Sequence, residues 1–334
     1  MTANYSIVRM ASSLCLLLAI AAFGSCPNLC IAQTTVPAGD DTEYDLRPTV
    51  KVGTIAVSWK STSTMKGAMS YGAVPEYLDL AISADMALSV DKALPEGKSP
   101  GRFFIKQFSG SARKGRSTAT FDTSLPQTVV DEAGKPSYLT YLCRQDFPLN
   151  VEKSFKPLPL VIPQAVVDGC AKAFADQADA AACTQAVTQW VQALAAEPYA
   201  YLPIAALKVG QSWQARKRVA YIDHYGLPVI VEEISDCTLL KVASNAGTRM
   251  AQIEIVGKCT LPGRDTEKEL TQYDVTGAMR VNIDDPRRLR WRTQLAGRLK
   301  DKDNKDTFSH TITTEITAAQ EAPAATQSTK PSSK

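Results

Sequence analysis

The chain has 334 residues, of which 45% are hydrophobic and 21% charged, with 37 Lys and Arg against 34 Asp and Glu. A formal net charge of +3 gives no case for nucleic acid and leaves only a mild pull toward anionic surfaces. The composition is that of a globular protein with one large or two ordinary domains, and no apolar run of membrane-spanning length follows the N-terminal segment.

Residues 1–32 read as an export signal. Arg9 supplies a basic start, and Ala11 to Phe23 (ASSLCLLLAIAAF) is an apolar run too short for a comfortable span. Two ways of processing it stay open. Ordinary cleavage after Ala32 would use Cys30 and Ala32 as the small residues of the site. Alternatively, Phe23-Gly24-Ser25-Cys26 has the outline of a lipobox with Cys26 as the acylated residue, although Phe23 and Pro27 fit it poorly. Either route predicts an exported chain, periplasmic or extracellular, and membrane-tethered if Cys26 is lipidated.

Residues 33–47 are polar and turn-rich, as in a linker. A first β-rich unit is expected over 48–163. Its strongest strand signal is Leu78 to Val90, where apolar residues at even positions alternate with small and polar ones. Ile55 to Trp59 alternates too, and Arg102–Phe108 and Thr118–Thr123 read as a pair. Four prolines between 147 and 163 predict an extended connector. Residues 164–198 are rich in Ala and Gln with helical spacing, and form a predicted helical insert that ends at Pro198. A second unit, 199–318, reads as an antiparallel meander with one face buried. Its strands carry Trp213 and Ala215, Ile253 and Ile255, Val275 and Met279, Trp291 and Leu295, and Ile312 and Ile316 on their apolar sides. Residues 319–334 read as a disordered tail. The fold class is therefore mainly β (α+β), with two related, curved antiparallel units flanking a small helical insert. The echo of Val50-Lys51-Val52-Gly53 before Trp59 in Leu207-Lys208-Val209-Gly210 before Trp213 suggests the relationship.

Five cysteines lie beyond the leader, and in an exported chain disulfides are the default. Cys237 and Cys259 flank a predicted turn at Asn245-Ala246-Gly247-Thr248 and are expected to face each other. Cys170 and Cys183 would staple two short helices. Cys143 is left over, either buried and reduced or paired with a partner chain.

The stretch Leu207-Lys208-Val209-Gly210-Gln211-Ser212-Trp213, with Gly277, Asp284-Asp285 and Arg288-Leu289 in the following meander, resembles a loose pattern in exported bacterial β-rich proteins and lipoproteins. More distantly it resembles the half-barrel lipoprotein carriers of the LolA/LolB type. That resemblance implies a curved sheet with an apolar concavity and carries over no catalytic residue.

Signals for chemistry are few. The chain has two histidines, His224 and His310, and no G-x-S-x-G elbow, H-E-x-x-H, P-loop or G-x-G-x-x-G. The Asp301 to Asp306 run lacks the Gly and Glu of a calcium loop, and Asp79 and Asp85 fall on a wet strand face. No metal or cofactor is expected. The favoured expectation is a non-catalytic envelope protein that holds an apolar ligand or lipid against Trp213, Met279, Trp291 and Leu295. These residues serve equally well as plain core if the helices pack on them. A second expectation is an interaction module that meets an envelope polymer or protein through a basic face of Arg290, Arg292, Arg298 and Lys300. A third is a hydrolase whose carboxylates the sequence does not single out.

Overall fold

The computed structural model describes residues 41–67, 77–94, 98–114, 117–125, 141–152, 155, 157, 159–173, 177–222, 228–245, 247–260, 272–300 and 306–320. Residues 1–40, which hold the expected export signal with Cys26 and most of the expected linker, His224, the expected 131–136 turn, residues 301–305 and the segment beyond 320 lie outside these.

Among the described residues, eleven strands form one sheet. They are β1 (Gly53–Gly67), β2 (Tyr77–Val90), β3 (Ser99–Lys114), β4 (Ser117–Asp122), β5 (Asp146–Val151), β6 (Ser212–Ile222), β7 (Pro228–Asn245), β8 (Thr248–Thr260), β9 (Gln272–Asn282), β10 (Leu289–Lys300) and β11 (Asp306–Gln320). The order is β4-β3-β2-β1-β11-β10-β9-β8-β7-β6, with β5 paired to β3. The sheet is mostly β, antiparallel, curved and open. The first five strands and the last six are thus two halves of one sheet. They are joined where β1 runs along β11, from Ile55 opposite Gln320 to Gly67 opposite Phe308.

Between β5 and β6 the chain forms α1 (Gln164–Ala173), α2 (Gln177–Ala196) and a 3-10 turn (Glu197–Tyr199). Helix α2 buries Cys183, Ala186, Val187, Trp190, Val191, Leu194 and Ala195, which is one stripe at helical spacing. Its Trp190 stacks on Phe108 of β3 at 5.2 Å. The odd-numbered residues of β1 and β10 and the even-numbered residues of β11 share this covered face, called inner below. Leu289, Trp291, Val57, Trp59, Ile316 and Ala318 are all buried there.

Two segments differ from their expected form for the same reason, namely that short apolar stretches are completed by distant partners. The linker buries Leu46 fully, and Tyr44 pairs with Leu207. Part of the proline-rich connector is β5, whose alternating Phe147, Leu149 and Val151 are buried against β3. Strand β1 also runs well beyond Trp59. Its inward positions there are Ser61 and Ser63, both buried, so polar side chains hid the alternation.

Candidate functional site

The apolar half of the inner face centres on one row across the sheet. Ala84, Trp59, Ile316, Trp291, Met279 and Ile253 lie side by side in successive strands. Trp291 is buried, with its ring edge against Tyr201 at 5.2 Å and its Nε1 donating to the carbonyl of Pro198 at 3.2 Å. Trp213, on the edge strand β6, is half-buried and donates from Nε1 to the carbonyl of Tyr201 at 3.1 Å. Both indoles therefore hold the segment that ends the insert. Met279 is fully buried in the same core. Leu295 lies four residues beyond Trp291 on β10, half-buried between Ile312 and Val275.

A second row, nearer the other end of the strands, is polar and equally buried. His310, Gly297, Tyr273, Cys259, Glu233 and Lys217 occupy it on β11, β10, β9, β8, β7 and β6. Gly297 carries no side chain, so His310 reaches over β10 to Tyr273. His310 Nδ1 lies 2.8 Å from the Tyr273 hydroxyl, and Nε2 lies 2.9 Å from Ser63 Oγ. Burial pulls the His310 pKa down to about 3, so the ring is neutral at physiological pH.

The insert meets this row with Glu197 and Tyr201. Lys217 Nζ donates to Glu197, and the Tyr201 hydroxyl donates to Glu233 at 2.5 Å. Ser235 adds a second hydroxyl to Glu233 at 3.0 Å. The ammonium also lies 5.5 Å above the Tyr201 ring and 5.1 Å above the Trp291 ring. Burial works against the charge on Lys217, but the two carboxylates outweigh it and its pKa is raised. Burial pushes the Tyr201 hydroxyl well up, and Glu233 adds to this. The result is a clasp of one cation, two acidic side chains and a phenol that fixes residues 197–201 to the sheet. The sequence signal for it was phase. Lys217 falls in step with Trp213 and Ala215, and Glu233 with Ser235 and Cys237.

The cysteines require two corrections. Cys237 lies opposite Ile255, and Cys259 opposite Glu233, so the expected Cys237–Cys259 bridge is not formed. The hairpin centres on Asn245 and Thr248, and a bulge between Leu239 and Lys241 shifts the register further. Burial pushes both thiols up to about 12, which leaves them unreactive at neutral pH. Cys170 and Cys183 are brought together as expected but are free thiols, with the Cys183 sulfur donating to that of Cys170 at 3.0 Å. Cys143 is buried and donates to Thr123 Oγ1 at 3.2 Å.

Of the expected basic residues, Arg290, Arg292 and Arg298 lie on the outer face. Arg290 and Arg292 converge on Glu315 at 3.5 and 3.0 Å. Arg290 sits directly opposite Arg280, and Arg298 is exposed beside Ser309. The backbone of Lys300 pairs with Asp306 past a bulge. Arg287 is buried and held by Asp285 at 2.8 Å. Among the described residues, no group of three or more His, Cys, Asp or Glu side chains is placed to hold a metal ion. No helix among them is long and apolar enough to cross a membrane.

No known family and no curated protein matches the chain. Some solved structures share a distant likeness. Lipovitellin, studied for its lipid–protein interactions, is 12% identical with a TM-score of 0.39, over 83% of this chain and 26% of its own. This chain therefore spans about a quarter of lipovitellin. An outer membrane channel from Pseudomonas putida F1 is 11% identical with a TM-score of 0.23, over 85% of this chain and 100% of its own. DynF, from the dynemicin biosynthesis pathway of Micromonospora chersina, is 6% identical with a TM-score of 0.19, over 91% and 97%.

Proposed function

We propose that this is an exported, non-catalytic envelope protein that binds an apolar ligand, an acyl lipid, on the inner face of its curved sheet. The observation that carries this reading is how that face is covered. A broad apolar surface with Trp59, Met86, Phe108, Met279 and Trp291 is closed by one Ala-rich excursion of the chain instead of a second sheet. Burying an acyl chain there would gain about 25 cal/mol per Å² of apolar surface. Native mass spectrometry of the mature protein after export in a bacterial host, followed by solvent extraction, tests it. A co-purifying lipid of defined mass is the expected result. A clean apo mass that persists after incubation with phospholipid would reject it.

A second reading rests on the outer face. Two guanidinium groups lie directly across a strand pair, Arg280 and Arg290, and Glu315, 3.5 Å from Arg290 and 3.0 Å from Arg292, offsets only part of this positive charge. An anionic envelope polymer or lipid headgroup fits that position. Co-sedimentation with phosphatidylglycerol vesicles should then be lost on Arg280→Gln with Arg290→Gln, and by moderate salt. Equal sedimentation of the variant would remove this reading.

The export reading also predicts that Cys170 and Cys183 close to a disulfide in an oxidising compartment. Oxidised glutathione would accept the electrons, and the protein would lose two hydrogens in mass. A loop of this length stabilises by about 3 kcal/mol. A bridge that fails to form, or a Cys170→Ser variant as stable as the oxidised protein, contradicts the prediction.

A further inference from the structure

We propose that the helical insert is a strap that an acyl chain displaces, with α1 and α2 lifting from the inner face while the 197–201 clasp stays in place. This rests on the apolar-ligand reading above. Topology supports the division. β5 lies on β3 toward one edge of the sheet, and β6 is the opposite edge. The single connection between them carries the insert across the face. The ladder from β4 to β6 runs unbroken without any strand from the insert, because β1 and β11 join the two halves. Moving the helices thus breaks none of the sheet's own pairing.

The two parts of the insert are held by different forces. Residues 197–201 are fixed by directional bonds: Lys217 to Glu197, Tyr201 to Glu233, and the Trp291 and Trp213 indoles to carbonyls. Helix α2 meets the sheet through apolar contacts such as Trp190 on Phe108. Those contacts are non-directional, and apart from the bond that the Leu160 N–H donates to Gln192 Oε1 at 2.7 Å, an acyl chain can take their place. A polar ligand cannot. Cys170 and Cys183 meet as thiols where α1 packs on α2, and a disulfide between them would make the two helices leave as one body.

The closed form also leaves polar atoms unsatisfied. Trp59 Nε1, on the inner face, and Gln189 Oε1, on α2, are buried with no hydrogen-bond partner among the described residues. Such groups destabilise the state that buries them. Trp59 is itself buried, and the side chain beside it on its row is the small Ala84. A lipid carbonyl or carboxylate oxygen seated there would accept from Trp59 Nε1 and set the acyl chain along the Trp59–Trp291 row. A strained residue lies before the strap as well. Phe155 is buried in the left-handed region at φ 61 and packs edge-on against Tyr199 at 4.8 Å.

The test is hydrogen exchange on the full exported chain with and without stearate, together with stearate affinity from quenching of Trp fluorescence by brominated stearate. Exchange over 164–196 should speed up by roughly tenfold on binding, while 197–201 and the strands stay unchanged. Trp59→Phe, which keeps most of the ring, should weaken stearate binding by about fivefold. Stearate that binds while exchange in the helices stays equal or slows would overturn the strap and leave the lipid reading standing. Unchanged affinity in a folded Trp59→Phe variant would remove the indole contact. Absence of stearate binding to the wild type would instead overturn the lipid reading itself.

Discussion

Lys217→Met should destabilise the protein by about 3–5 kcal/mol, the usual cost of stripping one partner from a buried ion pair. Lys217 and Glu197 have side chains only 8% and 10% exposed. Removing the ammonium leaves the Glu197 carboxylate buried beside that of Glu233, with no cation on the row. The loss is one of desolvation, so it should reverse when the acid is removed too. Lys217→Met with Glu197→Leu should recover most of the stability, because a well-packed apolar pair of similar volume is often neutral relative to a buried ion pair. Urea denaturation of the wild type, both single variants and the double variant closes the cycle. A coupling energy near zero, or a Lys217→Met loss under about 1 kcal/mol, would mean that water reaches the clasp and that it does not hold the 197–201 segment.

The same clasp marks where the sequence stopped being legible. Strand positions were readable because Leu78 to Val90 and Leu289 to Leu299 alternate over many residues, and the observed strands cover both. Helix α2 was readable from its Ala and Gln content at helical spacing, clearest over Thr184 to Ala196, although the helix begins earlier, at Gln177. The joining of the halves was not readable, because β1 beyond Trp59 turns Ser61 and Ser63 inward. A polar inward position looks like an exposed one until its partner is known, and here that partner is His310, far along the chain. Lys217 was hidden in the same way. A lysine in an apolar phase reads as a wet face, and its acid sits on a turn outside the sheet. The cysteine error came from register. Cys237 and Cys259 are not equally far from the Asn245–Thr248 turn, so even an unbroken ladder would set Cys237 opposite Val256, and the bulge between Leu239 and Lys241 moves its partner by one more residue, to Ile255. Met279, Trp291, Trp213 and Leu295, the expected ligand face, all lie on the covered side of the sheet. What covers that side depends on a distant excursion, which local periodicity does not encode.

His310 should make the folded protein lose stability as the pH falls from neutrality, well before its carboxylates titrate. Its folded pKa is depressed to about 3, while the unfolded chain keeps the ordinary value of 6.5. Below that ordinary value the unfolded state takes up a proton that the folded state refuses. Stability is therefore complete above the unfolded pKa and falls by about 1.4 kcal/mol per pH unit until the folded pKa is reached. Between about pH 7 and about pH 5 the loss from this one ring comes to about 2 kcal/mol. Both ring nitrogens meet hydroxyls, those of Ser63 and Tyr273, and neither hydroxyl carries a charge that would help to hold an imidazolium. His310→Gln keeps one polar contact and cannot titrate. It should be less stable than wild type at neutral pH yet lose far less on acidification, so the two curves converge as the pH drops. Urea midpoints for both proteins at the two pH values decide the point. Parallel curves would show that solvent reaches the ring, and the inward row would then be open to water at its β11 end.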